Sequence, residues 1–301
     1  MIGITIGDPS GIGPEITLKA LSRIKNPAKI IRLIGSRLLL ETLNKQLKTN
    51  IKLTDMIYDI NTHLSFKYGR PQKKCGVASF LQLHLATYLL KMGKIIGIVT
   101  APVSKAALSM AGFPFPGQTE YFAREFGVKK YGMLAWSNTI KVILVTIHKP
   151  LKDVPKLISE ENVLEKIELL NNYFVYYEKK RKPKIGVLAL NPHAFEFSCG
   201  KEKEICKAIN KANNIGIKAE GPIPGDTLHM HTGFDGFVAM YHDQGMIPVK
   251  LLSQGAGVNM TLGLPFVRTA PLHGTAFDIA GKGTANPDAM HNAIRLCQRL
   301  T

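Results

Sequence analysis

The sequence predicts an α/β protein with a mostly parallel sheet, in two domains interleaved along the chain. Three observations lead there. Short apolar runs alternate through most of the 301 residues with longer stretches whose apolar residues recur at helical spacing, the pattern of βαβ units. Three of those runs, at 141–147, 184–190 and 236–241, are near-continuous blocks of apolar residues between turn residues, as strands buried on both faces are. No repeat, low-complexity tract or flexible linker parts one half from the other, so a length fit for about two domains is expected to fold from intertwined segments.

The first strand is expected at 2–6. It runs into Gly7-Asp8-Pro9-Ser10-Gly11-Ile12-Gly13-Pro14-Glu15, and Pro14 suits the first position of a helix over 14–24. Gly11 and Gly13 match the first two glycines of a dinucleotide fingerprint, but Ile16 holds the third position. Asp8 and Glu15 would also repel a pyrophosphate at the helix start. This is read as a tight turn lining a cleft, with no Rossmann fingerprint. A strand at 29–34, a helix at 36–47, a long helix at 76–92 and a strand at 95–99 follow. Short helices are expected at 104–110 and 119–126. The second opens on Gly117-Gln118-Thr119-Glu120, which is either a plain N-cap or an anion site made of backbone N–H groups and the Thr119 hydroxyl. Helices over 159–178 and 201–213 separate the three apolar strands, and helical turns at 275–279 and 287–300 end the chain.

Each of the three apolar strands leads to a histidine: His148, His193 (in Asn191-Pro192-His193) and His242. Ligands of open α/β sheets bind outside the carboxyl ends of the strands. Three imidazoles delivered to that edge are candidate ligands of one divalent metal, with positions left for water or substrate. Taken singly, each reads better as an ordinary loop histidine bonded to backbone; the three together read better as metal ligands. The stretch from His242 to Arg268 adds Asp243, Gln244, Lys250, Asn259 and Thr261 among glycines, and a lysine and an arginine near a metal would clamp a phosphate or carboxylate. His229 and His231 read as an incidental surface pair.

Composition narrows the classes. Apolar residues make up 45% and charged residues 20%, as in ordinary soluble proteins. No apolar run reaches the roughly 18 residues needed to span a bilayer, and the N-terminus lacks a basic segment and signal core; a cytoplasmic protein without membrane contact is expected. Cys75, Cys199, Cys206 and Cys297 form no CxxC pair, which points to inert thiols in a reducing compartment. The net charge of +17, from 39 basic and 22 acidic residues, admits three readings: nucleic-acid binding, attraction of a phosphorylated substrate or dinucleotide, or a solvated lysine-rich surface. The charges are interspersed and no nucleic-acid-binding motif appears. The one tight basic cluster, at 178–184, follows an aromatic run (Tyr173, Phe174, Tyr176, Tyr177) that suits a half-buried helix better than a base-stacking platform.

Several blocks resemble one family. Val238-Ala239-Met240-Tyr241-His242-Asp243-Gln244-Gly245, the stretch 257–268 and Leu190-Asn191-Pro192-His193-Ala194 are similar to the 4-hydroxythreonine-4-phosphate dehydrogenase (PdxA) family of pyridoxal phosphate biosynthesis. So are the Gly7–Glu15 turn and Thr100-Ala101-Pro102-Val103-Ser104-Lys105. The resemblance implies that His148, His193 and His242 bind a divalent metal (zinc, magnesium or cobalt), and that Gln118, Thr119, Lys250, Asn259 and Arg268 contact a phosphorylated substrate. The family usually has His-Thr where this chain has Gln118-Thr119, which keeps dehydrogenases of 4-phosphoerythronate or phosphothreonate open as alternatives.

The segment 273–287 is similar to the cofactor loop of isopropylmalate and isocitrate dehydrogenases, which implies an isocitrate/isopropylmalate dehydrogenase-like fold. His273, Gly274, Asp278 and Asn286 are the implied NAD contacts. The implied reaction is NAD-dependent oxidation of 4-phosphooxy-L-threonine followed by decarboxylation to 3-amino-2-oxopropyl phosphate, with Asp243 and Lys250 as candidate base or proton relay. The family fold further implies a cleft between the domains and a homodimer with active sites at the subunit interface. Residues 1–115 with 255–301 are expected to form the NAD-side domain, and 116–254 the metal, substrate and dimerisation domain.

Overall fold

The computed structural model describes residues 1–62 and 65–301. In chain order its elements are β1 (Ile2–Thr5), α1 (Gly13–Leu21), β2 (Ile31–Gly35), α2 (Arg37–Gln46), β3 (Ile57–Asp59), α3 (Lys73–Lys91), β4 (Gly97–Thr100), α4 (Lys105–Met110) and α5 (Gln118–Glu125). There follow β5 (Gly132–Trp136), β6 (Lys141–Leu144), α6 (Val154–Leu157), α7 (Glu160–Tyr176), β7 (Lys184–Leu188), α8 (Lys201–Asn214) and β8 (Lys218–Ile223). The chain ends with β9 (Gly236–Ala239), α9 (His242–Ser253), β10 (Val258–Leu262), β11 (Val267–Pro271) and α10 (Asp288–Leu300). Among the described residues no helix is long and apolar enough to cross a membrane.

The chain divides into two compact units, Met1–Lys129 with Leu264–Thr301, and Lys130–Gly263. The seams lie at 129/130 and 263/264, where the sequence suggested 115/116 and 254/255. The shift of the first seam has a packing cause. Tyr121 and Phe122 of α5 are buried beside Phe113, Phe266 and Leu264 in an aromatic cluster of the first unit. Each such ring contributes about 2–3 kcal/mol by burial, which ties α5 to the chain's ends.

In the first unit the strands run β3-β2-β1-β4-β11, with parallel pairing throughout. The chain turns one way from β1 to β2 and the other way to β4, so the loops after β1 and β4 diverge at a switch point, where α/β proteins bind ligands. Glycine makes that turn possible. Gly7 has φ of +75°, and a Cβ there would lie 2.3 Å from the Pro102 carbonyl; one on Gly13 would lie 2.4 Å from the Ile6 carbonyl. These glycines serve chain-on-chain packing, not the approach of a pyrophosphate. Asp8 is fully buried and turns inward, its Oδ1 accepting from the Ser10 N–H and hydroxyl at 2.9 and 2.7 Å. Gln82, buried in α3, brackets Gly7 with both ends of its amide, each at 2.9 Å.

In the second unit the order is β10-β5-β6-β9-β7-β8. β6, β9, β7 and β8 are parallel, whereas β5 pairs antiparallel with β6 and β10. The antiparallel part goes beyond the sequence expectation. β5 joins β6 through a turn closed by the Ser137 N–H on the Ile140 carbonyl, at 2.9 Å, and β10 alternates polar and apolar residues (Val-Asn-Met-Thr-Leu) as antiparallel strands do. The three histidine-bearing strands also end earlier than expected, at Leu144, Leu188 and Ala239.

Candidate active site

Within the second unit β9 lies between β6 and β7, so His148, His242 and His193 leave neighbouring parallel strands at their carboxyl ends. Side chains lace those ends together. The Thr146 hydroxyl donates to the Met240 carbonyl at 2.8 Å. Gln244 accepts from the Met240 N–H and donates to the Ala189 carbonyl, both at 2.7 Å. The Asn191 turn is held by Glu202, whose Oε1 accepts from the Asn191 N–H at 3.0 Å and from its side-chain amide at 2.9 Å. Burial alone would push the Glu202 pKa up; hydrogen bonds from Ser198 and Asn191 outweigh it and hold the carboxyl below its ordinary value. That anchor matters because His193 and Ala194 both sit in the left-handed region, at φ of +53° and +55°, which costs about 1–2 kcal/mol per residue.

His148 and His242 face each other with ring centroids 5.6 Å apart. Asp243 Oδ1 lies 2.7 Å from His242 Nδ1, and Glu196 Oε2 lies 2.9 Å from His193 Nδ1. A carboxylate on Nδ1 fixes the tautomer and turns Nε2 outward as a metal ligand. The donor chemistry at His242 fits a divalent ion, and the His148 ring facing it offers a second imidazole. Among the described residues no three His, Cys, Asp or Glu side chains cluster as a metal site, so within one chain His193 stands apart from that pair. His148, His242, Tyr241 and Asp243 line a cavity of about 260 Å³. His193, Tyr241, Asp243, Ile247 and Leu251 line a groove of about 560 Å³. Asp243 borders both.

Lys250 is not brought beside His242. The segment from His242 on is a helix, and eight positions along α9 amount to roughly 12 Å of rise. Asn259, on β10 in the same unit, has its Oδ1 buried with no hydrogen-bond partner among the described residues.

The first unit holds the rest. Arg268, on β11, is 4% exposed. Its Nη1 donates to the Thr119 hydroxyl at 2.8 Å and its Nη2 to the Thr100 hydroxyl at 3.0 Å. Burial lowers its pKa to about 10, so it stays charged at neutral pH. A hydroxyl has one proton and two lone pairs. Thr119 and Thr100 accept from Arg268 and so keep their own protons for another acceptor. Gln118 donates to the Ala101 carbonyl at 3.4 Å, which orients its amide and leaves Oε1 buried with no hydrogen-bond partner among the described residues. Nothing local in the Thr100–Lys105 block marks Thr100 as a partner of Arg268, which lies 168 positions further along the chain.

In the loop after β11, His273 Nδ1 lies 3.0 Å from the Gly274 carbonyl, while its Nε2 is buried without a partner among the described residues. A Cβ on Gly274 would meet nothing within 4 Å. Asp278 is exposed, and the Asn286 side-chain oxygen accepts from the Asp288 N–H at the start of α10, at 2.8 Å. A buried ring nitrogen with no partner among the described residues, open space at Gly274 and an exposed carboxylate at Asp278 fit a polar ligand such as a nucleoside, with Asn286 partly committed to the helix start.

The chain matches the family model described as "Pyridoxal phosphate biosynthetic protein PdxA" over residues 14–297. It belongs to this family. A 4-hydroxythreonine-4-phosphate dehydrogenase from Sulfurihydrogenibium sp. is 39% identical, covering 98% of this chain and 96% of its own length. A protein of Oceanobacillus iheyensis provisionally named D-threonate 4-phosphate dehydrogenase is 40% identical, covering 98% and 97%. Among solved structures, the Klebsiella pneumoniae 4-hydroxythreonine-4-phosphate dehydrogenase superposes with a TM-score of 0.86 at 32% identity, over 100% of this chain and 99% of that one. An isocitrate dehydrogenase from Methylococcus capsulatus shares the fold, with a TM-score of 0.52 at 16% identity over 99% and 84%.

Proposed function

We propose that the protein is an NAD- and divalent-metal-dependent oxidoreductase of vitamin B6 biosynthesis. It oxidises the secondary hydroxyl of 4-phosphooxy-L-threonine, and the β-keto acid loses carbon dioxide to give 3-amino-2-oxopropyl phosphate. The observation that carries this reading, in a chain of this family, is the Arg268–Thr119 pairing: two residues expected on the substrate phosphate lie 2.8 Å apart around a buried cation. Arg268 would supply the charge, and the Thr119 and Thr100 hydroxyl protons would complete a donor set for an anion. Lys250 and Asn259 are the second unit's substrate contacts. His148, His193 and His242 would hold the metal, which when bound lowers the pKa of the alcohol and stabilises negative charge as carbon dioxide leaves.

His273, Gly274, Asp278 and Asn286 would hold NAD, the hydride acceptor. Asp278 would accept from ribose hydroxyls, favouring NAD over NADP. Asp243, hydrogen-bonded to His242, is the better-placed proton carrier; Lys250 would serve as a relay from the far end of α9. The NAD side belongs to the first unit, and the metal and dimer side to the second.

A homodimer with active sites at the subunit interface is part of the proposal. Ile247 and Leu251, one turn apart on α9, are 57% and 72% exposed, and Phe195 and Phe197 are exposed in the same unit. Such an apolar surface marks an interaction site. A pair of imidazoles in one chain, with His193 apart, is also a donor set that a second copy can complete. The partner is a small phosphorylated molecule, not nucleic acid or membrane: in the basic cluster Lys180 pairs with Asp235 and Lys184 with Glu220. The compartment proposed is the cytoplasm.

The decisive experiment follows NADH formation from 4-phosphooxy-L-threonine after chelation and after resupply of zinc, cobalt or magnesium. Turnover that disappears with chelator and returns with metal is expected; turnover indifferent to chelation would remove the metal. A second reading, a dehydrogenase of phosphothreonate or 4-phosphoerythronate, is favoured by Gln118 and by the likeness to the Oceanobacillus protein. Gln118→His tests it. Glutamine does not titrate near neutrality, so the substituted enzyme should gain an inflection near pH 6.5 in log kcat/KM and shift toward 4-phosphooxy-L-threonine in a substrate panel. Unchanged preference and pH profile would take position 118 out of substrate selection.

A further inference from the structure

We infer that Glu15 and Lys19 form a clamp that sets the shape of the cofactor loop and thereby the affinity for the dinucleotide; this rests on the reading of 273–286 as the NAD loop. The two residues are one helical turn apart on α1 and so share a face. Glu15 is 4% exposed, and its Oε1 accepts from the Ala285 N–H and from Lys19 Nζ, both at 2.8 Å. Lys19 Nζ also donates to the carbonyls of Gly283 and Ala285 at 2.7 and 3.0 Å. An ammonium has three N–H donors, and these three acceptors use them all. An acidic residue near a helix start, which reads as hostile to a pyrophosphate, is thus neutralised and turned to holding backbone.

The clamp completes a set of anchors. The Ile12 N–H donates to the Thr275 carbonyl at 3.0 Å, and the Tyr68 ring lies against Gly281, where a Cβ would come within 2.6 Å of it. These neutral contacts fix the loop near its start and middle. Glu15 and Lys19 fix 283–285, next to Asn286, with charge-assisted bonds, which are the stronger kind. A loop ordered before the ligand arrives loses less freedom on binding and binds more tightly.

The test uses the full-length protein and NADH fluorescence titration, with initial rates in NAD and in the phosphorylated substrate. Glu15→Gln and Lys19→Met should each raise the Kd for NADH and the KM for NAD roughly tenfold, leaving the KM for the phosphorylated substrate unmoved. The double variant should be no worse than the weaker-binding single one, since the pair acts as a unit. Lys19→Arg should recover part of the affinity. A general loss of stability would not separate the two KM values in this way. Amide exchange of the unmodified protein gives a reading that needs no variant: slow exchange at Ala285 before NADH is added is expected. Wild-type binding of NADH with unchanged affinity in the variants, or fast exchange at Ala285, overturns the clamp alone. No NADH binding by the wild type overturns the cofactor reading and the clamp together.

Discussion

Replacing Arg268 with methionine is expected to lower kcat/KM for the phosphorylated substrate by two to three orders of magnitude, about 3–4 kcal/mol. Arg268 is buried and still charged at neutral pH, since burial brings its pKa only to about 10. An anion that meets it is paired away from water, where the attraction is strongest. Lysine at 268 should recover little, because a single ammonium does not reproduce the fork that reaches Thr119 and Thr100 together. Steady-state rates with the phosphorylated substrate and its dephosphorylated analogue decide the matter. The substitution should cost much with the first and little with the second; an equal loss with both would place Arg268 in the scaffold instead of the phosphate site.

His242→Ala is expected to strip the divalent metal and reduce kcat by roughly a thousandfold or more, since the charge stabilisation a metal supplies is worth several kcal/mol. His148→Ala should match it, because the two rings face each other at 5.6 Å. Metal content by elemental analysis, read beside turnover, tests this for each histidine. His193→Ala is the informative third case: loss of metal places His193 in the same site, and retention shows an ion held without it. Full metal content and activity in His242→Ala would end the metal assignment.

The sequence made some of this legible and hid the rest, for physical reasons. The three histidines were visible because a fully buried strand is an uninterrupted apolar run and its end is marked by the first polar residues. The helix α9 was hidden by Gly245 and Pro248, which break the helical pattern, although Pro248 is accommodated inside it. β11 was hidden too, since Val-Arg-Thr-Ala-Pro carries a charge and a proline yet is buried throughout. The partners of Gln82, Gln244 and Glu15 were beyond reach for another reason. Each binds backbone, at Gly7, Ala189 and Ala285 respectively, and a backbone group leaves no mark in composition. Arg268 was marked by its type, but the two threonine hydroxyls that seat it lie far away in the chain.

The division of the chain has a consequence for synthesis on the ribosome. The second unit is one continuous segment, Lys130–Gly263, and is complete when that segment has emerged. The first unit is not: β11 and α10 arrive only with Leu264–Thr301, and until then β4 lacks the neighbour that pairs with it at Val267, Arg268 and Thr269. Roughly 170 residues separate β4 from β11, so at a translation rate of about 5–20 residues per second the nascent chain carries an open, apolar sheet edge for on the order of ten seconds or more while the second unit is being made. A message or ribosome that stops short of the last strand therefore releases a product with one finished unit and one exposed strand, the kind of edge that pairs with other chains.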